Sequence, residues 1–179
     1  AAGFTRPFAA LTLAEVARID RIKPFLTAEQ RNELVDAAVT YLSNVTDYRG
    51  FDERDGWRHG VAHGADLMLQ LSLNAQLQRD QADAMRNAIA KQAVPAGDQF
   101  YRYGESDRLA APVFYLARSD FFSSQEWELW LAKIVARVPR EPHTQAALAA
   151  RHNVTAFIRA LYVSVREADH AGFPGFAVK

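Results

Sequence analysis

The stretch "GWRHGVAHGADLMLQL", Gly56 to Leu71, decides how this 179-residue chain is read. At the 100° step of an α-helix, Trp57, Val61, Gly64, Met68 and Leu71 fall on one side. His59, His63, Asp66 and Gln70 fall on a narrow stripe opposite. One helix over 56–73 explains both sets, with Asp55 as its N-cap and the acidic Asp52 and Glu53 favouring that end of the helix dipole.

The same spacing recurs in both directions from this stretch. Leu34, Ala38, Tyr41 and Val45 repeat it upstream, and Trp127, Leu131, Ile134 and Val138 repeat it downstream; alternation at period two is not sustained. Helices are expected at about 7–22, 27–46, 56–73, 79–93, 105–119, 123–138 and 142–168. Thr27 with Gln30 and Ser123 with Glu126 fit capping boxes, in which a hydroxyl and an amide or carboxylate satisfy backbone donors reciprocally. Pro112 should kink or divide the fifth helix, and the "RHNVT" stretch around Asn153 marks a place where the last could be interrupted. "GFPG" at 172–175 reads as a turn or tail.

First-of-pair helices begin near Phe8, Trp57 and Ser106, about 49 residues apart, close to the period of HEAT and armadillo repeats. The expected fold is therefore all-α: stacked antiparallel helical hairpins forming a HEAT/armadillo-like α-α superhelix. It is read as a single helical-repeat domain over 1–179. The start at Ala1 reads as a cut, so the domain is expected to be an N-terminally incomplete portion of a longer chain. Self-association through an uncapped N-terminal repeat follows from that expectation.

Composition narrows the function classes. Apolar residues make up 49% of the chain and charged residues 23%, which fits a soluble globular protein. Twenty-one basic and twenty-one acidic side chains cancel, so no global field draws the molecule to nucleic acid. No apolar run is long enough to span a bilayer. Cysteine is absent, which removes disulfides, thiolate metal sites and cysteine nucleophiles. The compartment is left open between the cytoplasm and export after signal removal.

The polar stripe supplies the candidate chemistry. His59, His63 and Asp66, at i, i+4 and i+7, have the residue types of a two-histidine, one-carboxylate face for a divalent metal. They can equally serve as acid, base and orienting group, with Glu105 assisting from a neighbouring helix start. The plain alternative is hydrogen-bonded packing, with Asp66 accepting from an imidazole and Gln70 bridging to the next hairpin. Arg49 and Arg108 can hold an anion or form structural ion pairs, and Gln70 joins them and Trp57 as a candidate ligand-binding residue. Trp57 can stack on a ligand or, with Trp127 and Trp130, fill the core. The loops 46–55 and 94–105, carrying Tyr48, Arg49, Tyr101, Arg102 and Tyr103, are where a site is sought first.

Taken together, "GFTRPFAALTLAEVARID", "DYRGFDERDGWRHGVAHGADLMLQL" and "YGESDRLA" resemble the bacterial family catalogued as domain of unknown function 2785. The resemblance runs from Gly3 to about Ala117, and its core is Trp57, His59, His63, Ala65 and Asp66. It implies a helical fold and members longer at the N-terminus, and it brings no reaction, cofactor or partner with it. The residues favour a binding or scaffold module for a protein, peptide or other ligand, without a cofactor. The alternative is a metal-dependent or acid/base enzyme, such as a hydrolase, built on the stripe.

Overall fold

The computed structural model describes residues 3–140 and 143–170. Among them are seven helices: α1 (Thr5–Ile22), α2 (Ala28–Ser43), α3 (Gly60–Ser72), α4 (Arg79–Ala93), α5 (Glu105–Ala117), α6 (Ser124–Val135) and α7 (Gln145–His170). A two-stranded antiparallel hairpin, β1 (Phe51–Asp52) and β2 (Gly56–Trp57), precedes α3. The structure is 68% helical, as the periodicity requires, and among the described residues no helix is long and apolar enough to cross a membrane. The "GFPG" segment lies outside the described residues.

Local signals set the helix ends. Gln30 N–H donates to Thr27 Oγ1 at 3.2 Å while Thr27 N–H donates to Gln30 Oε1 at 2.9 Å, and Ser123 and Glu126 form the same reciprocal pair at the start of α6. Each such cap stabilises a helix end by roughly 1 kcal/mol.

Packing arranges the helices in two rows. α1 lies on α3, α3 on α5 and α5 on α7, while α2 lies on α4. Consecutive helices touch less than alternate ones do. Stacked hairpins imply that consecutive helices are the main neighbours; in the structure, alternate helices form the larger seams. Within a row the helices run parallel. Arg21 and Gln70 meet near the ends of α1 and α3 (2.8 Å), and Phe8 meets His63 near their beginnings (rings 5.5 Å apart). Asn32 and Gln81 tie the first halves of α2 and α4 (2.8 Å), and Gln92 reaches the Leu42 carbonyl at their ends (2.7 Å). Thr5 and Asn44 line a common cleft, so α1 and α2 are antiparallel. The core between the rows contains Leu42, Leu67, Met68, Met85, Ile89, Leu109, Leu116, Ile134 and Phe157, all fully buried.

The structure departs from local expectation at four places. α3 begins at Gly60, not 56, because residues 51–57 fold as the hairpin. Asp55 accordingly pairs with Arg58 at 2.8 Å instead of capping the helix. α5 runs through Pro112 without division; the proline is buried in the seam between neighbouring helices, and that packing outweighs one missing backbone donor. α7 runs through Asn153, whose side chain is spent on another segment of the chain, with Oδ1 accepting from Tyr101 N–H (2.9 Å) and Nδ2 donating to the Gln99 carbonyl (2.8 Å).

Candidate functional site

The hairpin turn is built by two residues suited to it. Asp52 Oδ1 accepts from the Arg54 and Asp55 amides at 3.0 and 2.9 Å, and Gly56 takes φ = 78°, where a side chain is disfavoured. Phe51 then pairs with Trp57. Pairing continues past the strands, as Arg58 N–H donates to the Gly50 carbonyl (2.8 Å) and His59 N–H to the Arg49 carbonyl (3.2 Å). To enter α3 from that ladder, His59 adopts a left-handed conformation, φ = 49° and ψ = 40°. It is the only non-glycine residue with positive φ among those described. Non-glycine residues seldom take this conformation, and histidine is one of those that take it most readily.

The hairpin carries Trp57 out of the core. Trp57 is 47% exposed, Phe51 43% and Tyr103 42%, against the expectation that Trp57 starts an apolar helix face. Trp130 is buried and Trp127 half-buried beside it, as core packing predicts. The three exposed rings form a continuous shelf, with Trp57 5.0 Å from Phe51 and 5.5 Å edge-on from Tyr103. The His59 ring lies against Trp57 at 4.3 Å and 5.9 Å from His63. Gly50 underlies the shelf. A Cβ there would sit 2.1 Å from the Tyr103 ring, so only glycine fits.

The stripe divides into pieces. Arg108 Nη1 donates to both oxygens of Asp66, at 2.6 and 2.7 Å, joining α3 to α5. His63 Nδ1 stands 3.7 Å from Asp66 Oδ2, an electrostatic contact too long for a hydrogen bond, and the nitrogen is buried without a hydrogen-bond partner. Gln70 accepts from Arg21 Nε at 2.8 Å and belongs to the α1–α3 seam, away from the shelf. Glu105, 3% exposed, accepts from Tyr103 N–H at 2.9 Å and acts on His59 through its charge. Arg49 is held by Asp47, with Nε 2.7 Å from Oδ1. Among the described residues, no group of three or more histidine, aspartate or glutamate side chains is placed to hold a metal ion.

Burial lowers the pKa of His59; Glu105 opposes that shift, while His63 and Arg108 reinforce it, and the ring ends below the ordinary imidazole value. Burial would raise the Asp66 carboxyl, but its contacts with His63 and Arg108 more than compensate and hold it ionised. A histidine lowered in the native state binds its proton more readily when unfolded. Its contribution to stability is complete above the unfolded value of 6.5 and is lost as pH falls through the folded pKa. NMR titration of the His59 ring should therefore give a midpoint below 6.5, and His59→Asn, which tolerates the left-handed backbone, should lose less stability between neutral pH and pH 5 than the wild type. Equal losses in the two proteins would refute the assignment.

The arrangement offers an aromatic shelf, a neutral imidazole at its inner edge and a guanidinium fixed by a carboxylate. Of the residues expected at a site, the structure brings together Trp57, His59, His63, Asp66, Glu105 and Arg108, and it separates Gln70. Phe51 and Phe8 escape a reading by helical period; the signal for Phe51 is its place opposite Trp57 across an Asp52–Gly56 turn. A family described as "Protein of unknown function (DUF2785)" matches residues 2–163. No curated protein and no solved structure matches the chain.

Proposed function

The chain belongs to the DUF2785 family of proteins of unknown function, and from that premise we propose that it is a binding module. In this reading the two rows of helices are a HEAT/armadillo-like stack, and the Phe51–Trp57–Tyr103 shelf receives a protein or peptide ligand. The carrying observation is the shelf itself: Phe51 and Trp57, held at the surface by the hairpin, beside the exposed Tyr103 from the loop before α5. Exposed aromatic residues beside an arginine are the side chains that most often dominate protein interfaces.

Titrating nitrogen-15-labelled protein with short peptides bearing aromatic, aliphatic, basic or acidic side chains tests this. The expected result is a cluster of shifts at the Trp57 indole, His59, Tyr103 and Arg108, abolished in Trp57→Ala while the helical signal persists. Shifts that survive in Trp57→Ala, or no shifts with any peptide class, would sink the proposal.

A second reading is a metal-dependent or acid/base enzyme. His59 and His63 would act as ligands, or as base and acid, with Asp66 ligating or orienting and Glu105 assisting. What favours it is the lowered pKa of His59 beside a buried carboxylate. What weighs against it is that Asp66 already serves Arg108. Under this reading zinc, manganese or iron(II) stabilises the wild type by about 2.7 kcal/mol at a hundredfold excess over Kd, which raises its melting temperature, and His63→Ala abolishes the gain. Under the binding reading His63→Ala changes stability alike with ion or chelator.

A further inference from the structure

The rings of the shelf are set at angles to one another and do not form one flat plate. Phe51 is tilted 57° to Trp57 at 5.0 Å, and Tyr103 stands at 86° to Trp57 at 5.5 Å. Rings in contact at such angles leave shallow notches between them. They do not surround a gap, as the walls of a cage for an ammonium group must. The shelf is also fixed before any ligand arrives. Tyr103 rests on Gly50, where a Cβ would meet its ring, and its N–H is held by Glu105; the His59 ring backs Trp57 at 4.3 Å.

The free polar groups of the side chains here are donors. Among the described residues neither the Trp57 indole N–H nor the Tyr103 hydroxyl has a hydrogen-bond partner, and Arg108 commits only Nη1 to Asp66, leaving Nε and Nη2. Neighbouring acceptors are already engaged. The Gly50 and Arg49 carbonyls take the Arg58 and His59 N–H groups, Glu105 takes that of Tyr103, and Asp66 takes Arg108. A ligand matched to this surface presents apolar rings and carbonyl oxygens and asks for no acceptor in return.

Resting on the reading of the shelf as a peptide site, we propose that its ligand is a proline-rich segment in the polyproline II conformation. Proline rings fill the notches between the aromatic rings. Each proline supplies a carbonyl for Trp57, Tyr103 or Arg108 and brings no backbone N–H that would face a surface of donors. The polyproline II helix has no internal hydrogen bonds, so all its carbonyls are free to accept. A stiff ligand on a prearranged shelf also loses little conformational freedom on binding. An oligosaccharide is a poorer match, because its hydroxyls donate as well as accept. An ordinary extended peptide has a similar defect, an N–H at every residue that these side chains do not accept.

The probe is decaproline, titrated into the nitrogen-15-labelled full chain and followed at the His59 and Tyr103 amides. Saturable shifts are expected, with Kd in the micromolar range. Tyr103→Phe keeps the ring and removes only the hydroxyl, and Trp57→Phe keeps a ring without the indole N–H; each weakens binding by about three- to tenfold. Both residues are exposed, so the variants keep the circular dichroism of the wild type. A peptide of five Pro-Gly repeats, flexible and with half of its N–H groups restored, binds about tenfold more weakly or worse. Equal binding of the two peptides, or of the wild type and both variants, overturns the proposal. Decaproline without saturation overturns it too. If another class of peptide then still shifts the shelf, the binding reading stands with a different ligand; if none does, that reading falls with it.

Discussion

Asp20→Ala lowers the stability of the fold by about 3 to 5 kcal/mol, the range for removing one partner from a buried charged network. The carboxylate is 1% exposed at the end of α1. Oδ1 accepts from the Phe25 and Leu26 amides at 2.9 and 2.8 Å; Oδ2 accepts from Asn74 Nδ2 at 3.2 Å and lies 3.5 Å from Arg31. One side chain therefore ties α1 to its own turn, to α2 and to the α3–α4 turn. Burial works against its charge, but the two amides, Asn74 and Arg31 prevail and hold its pKa below the ordinary value of 3.8. A lowered carboxyl contributes stability that is complete above the unfolded pKa and is lost as pH falls through the folded one. Urea midpoints should drop sharply for Asp20→Ala at neutral pH, and the gap to wild type should narrow in acid below about pH 3.8. A gap independent of pH would mean that the charge is irrelevant.

Asn153→Ala has the next largest effect, about 2 to 4 kcal/mol, because it strands the buried Tyr101 amide and the part-buried Gln99 carbonyl at once. Asn153 is fully buried in α7, and its bonds to Tyr101 and Gln99 hold the segment that leads to Tyr103 and Glu105. Tyr101 is also anchored through its hydroxyl, which donates to the Gln92 carbonyl at 2.9 Å. Loss of Asn153 should therefore loosen the aromatic shelf as well as the fold. The Tyr103 and Trp57 resonances should broaden or shift in Asn153→Ala while those of α2 stay in place. Unchanged shelf resonances would show that the tether and the shelf are uncoupled.

The legible parts of the sequence were those in which local chemistry and tertiary structure agree. The Thr27 and Ser123 capping boxes act within one turn, and α4 occupies 79–93 as its pattern requires. The hairpin was hidden because Trp57, Val61, Gly64 and Met68 keep helical spacing across a strand, a left-handed residue and a helix alike. Asp52 and Gly56 carried the contrary signal, but strands of two residues are too short to impose a period. The tethering role of Asn153 was hidden for a related reason. An asparagine is a poor helix-interior residue on its own terms, yet the backbone groups it serves lie more than 50 residues away and leave no mark nearby. Of the stripe, the neighbourhood of His59, His63 and Asp66 was legible from spacing, whereas the claims of Arg108 on Asp66 and Arg21 on Gln70 depend on packing between helices.

The side-chain bonds that join successive pairs share one scale of sequence separation: Arg108 to Asp66 spans 42 residues, Arg21 to Gln70 spans 49 and Asn153 to Gln99 spans 54. Among the described residues, these bonds link each pair to the next. Cohesion is therefore passed from neighbour to neighbour, as in a chain of coupled units, and an opening at one end need not propagate to the other.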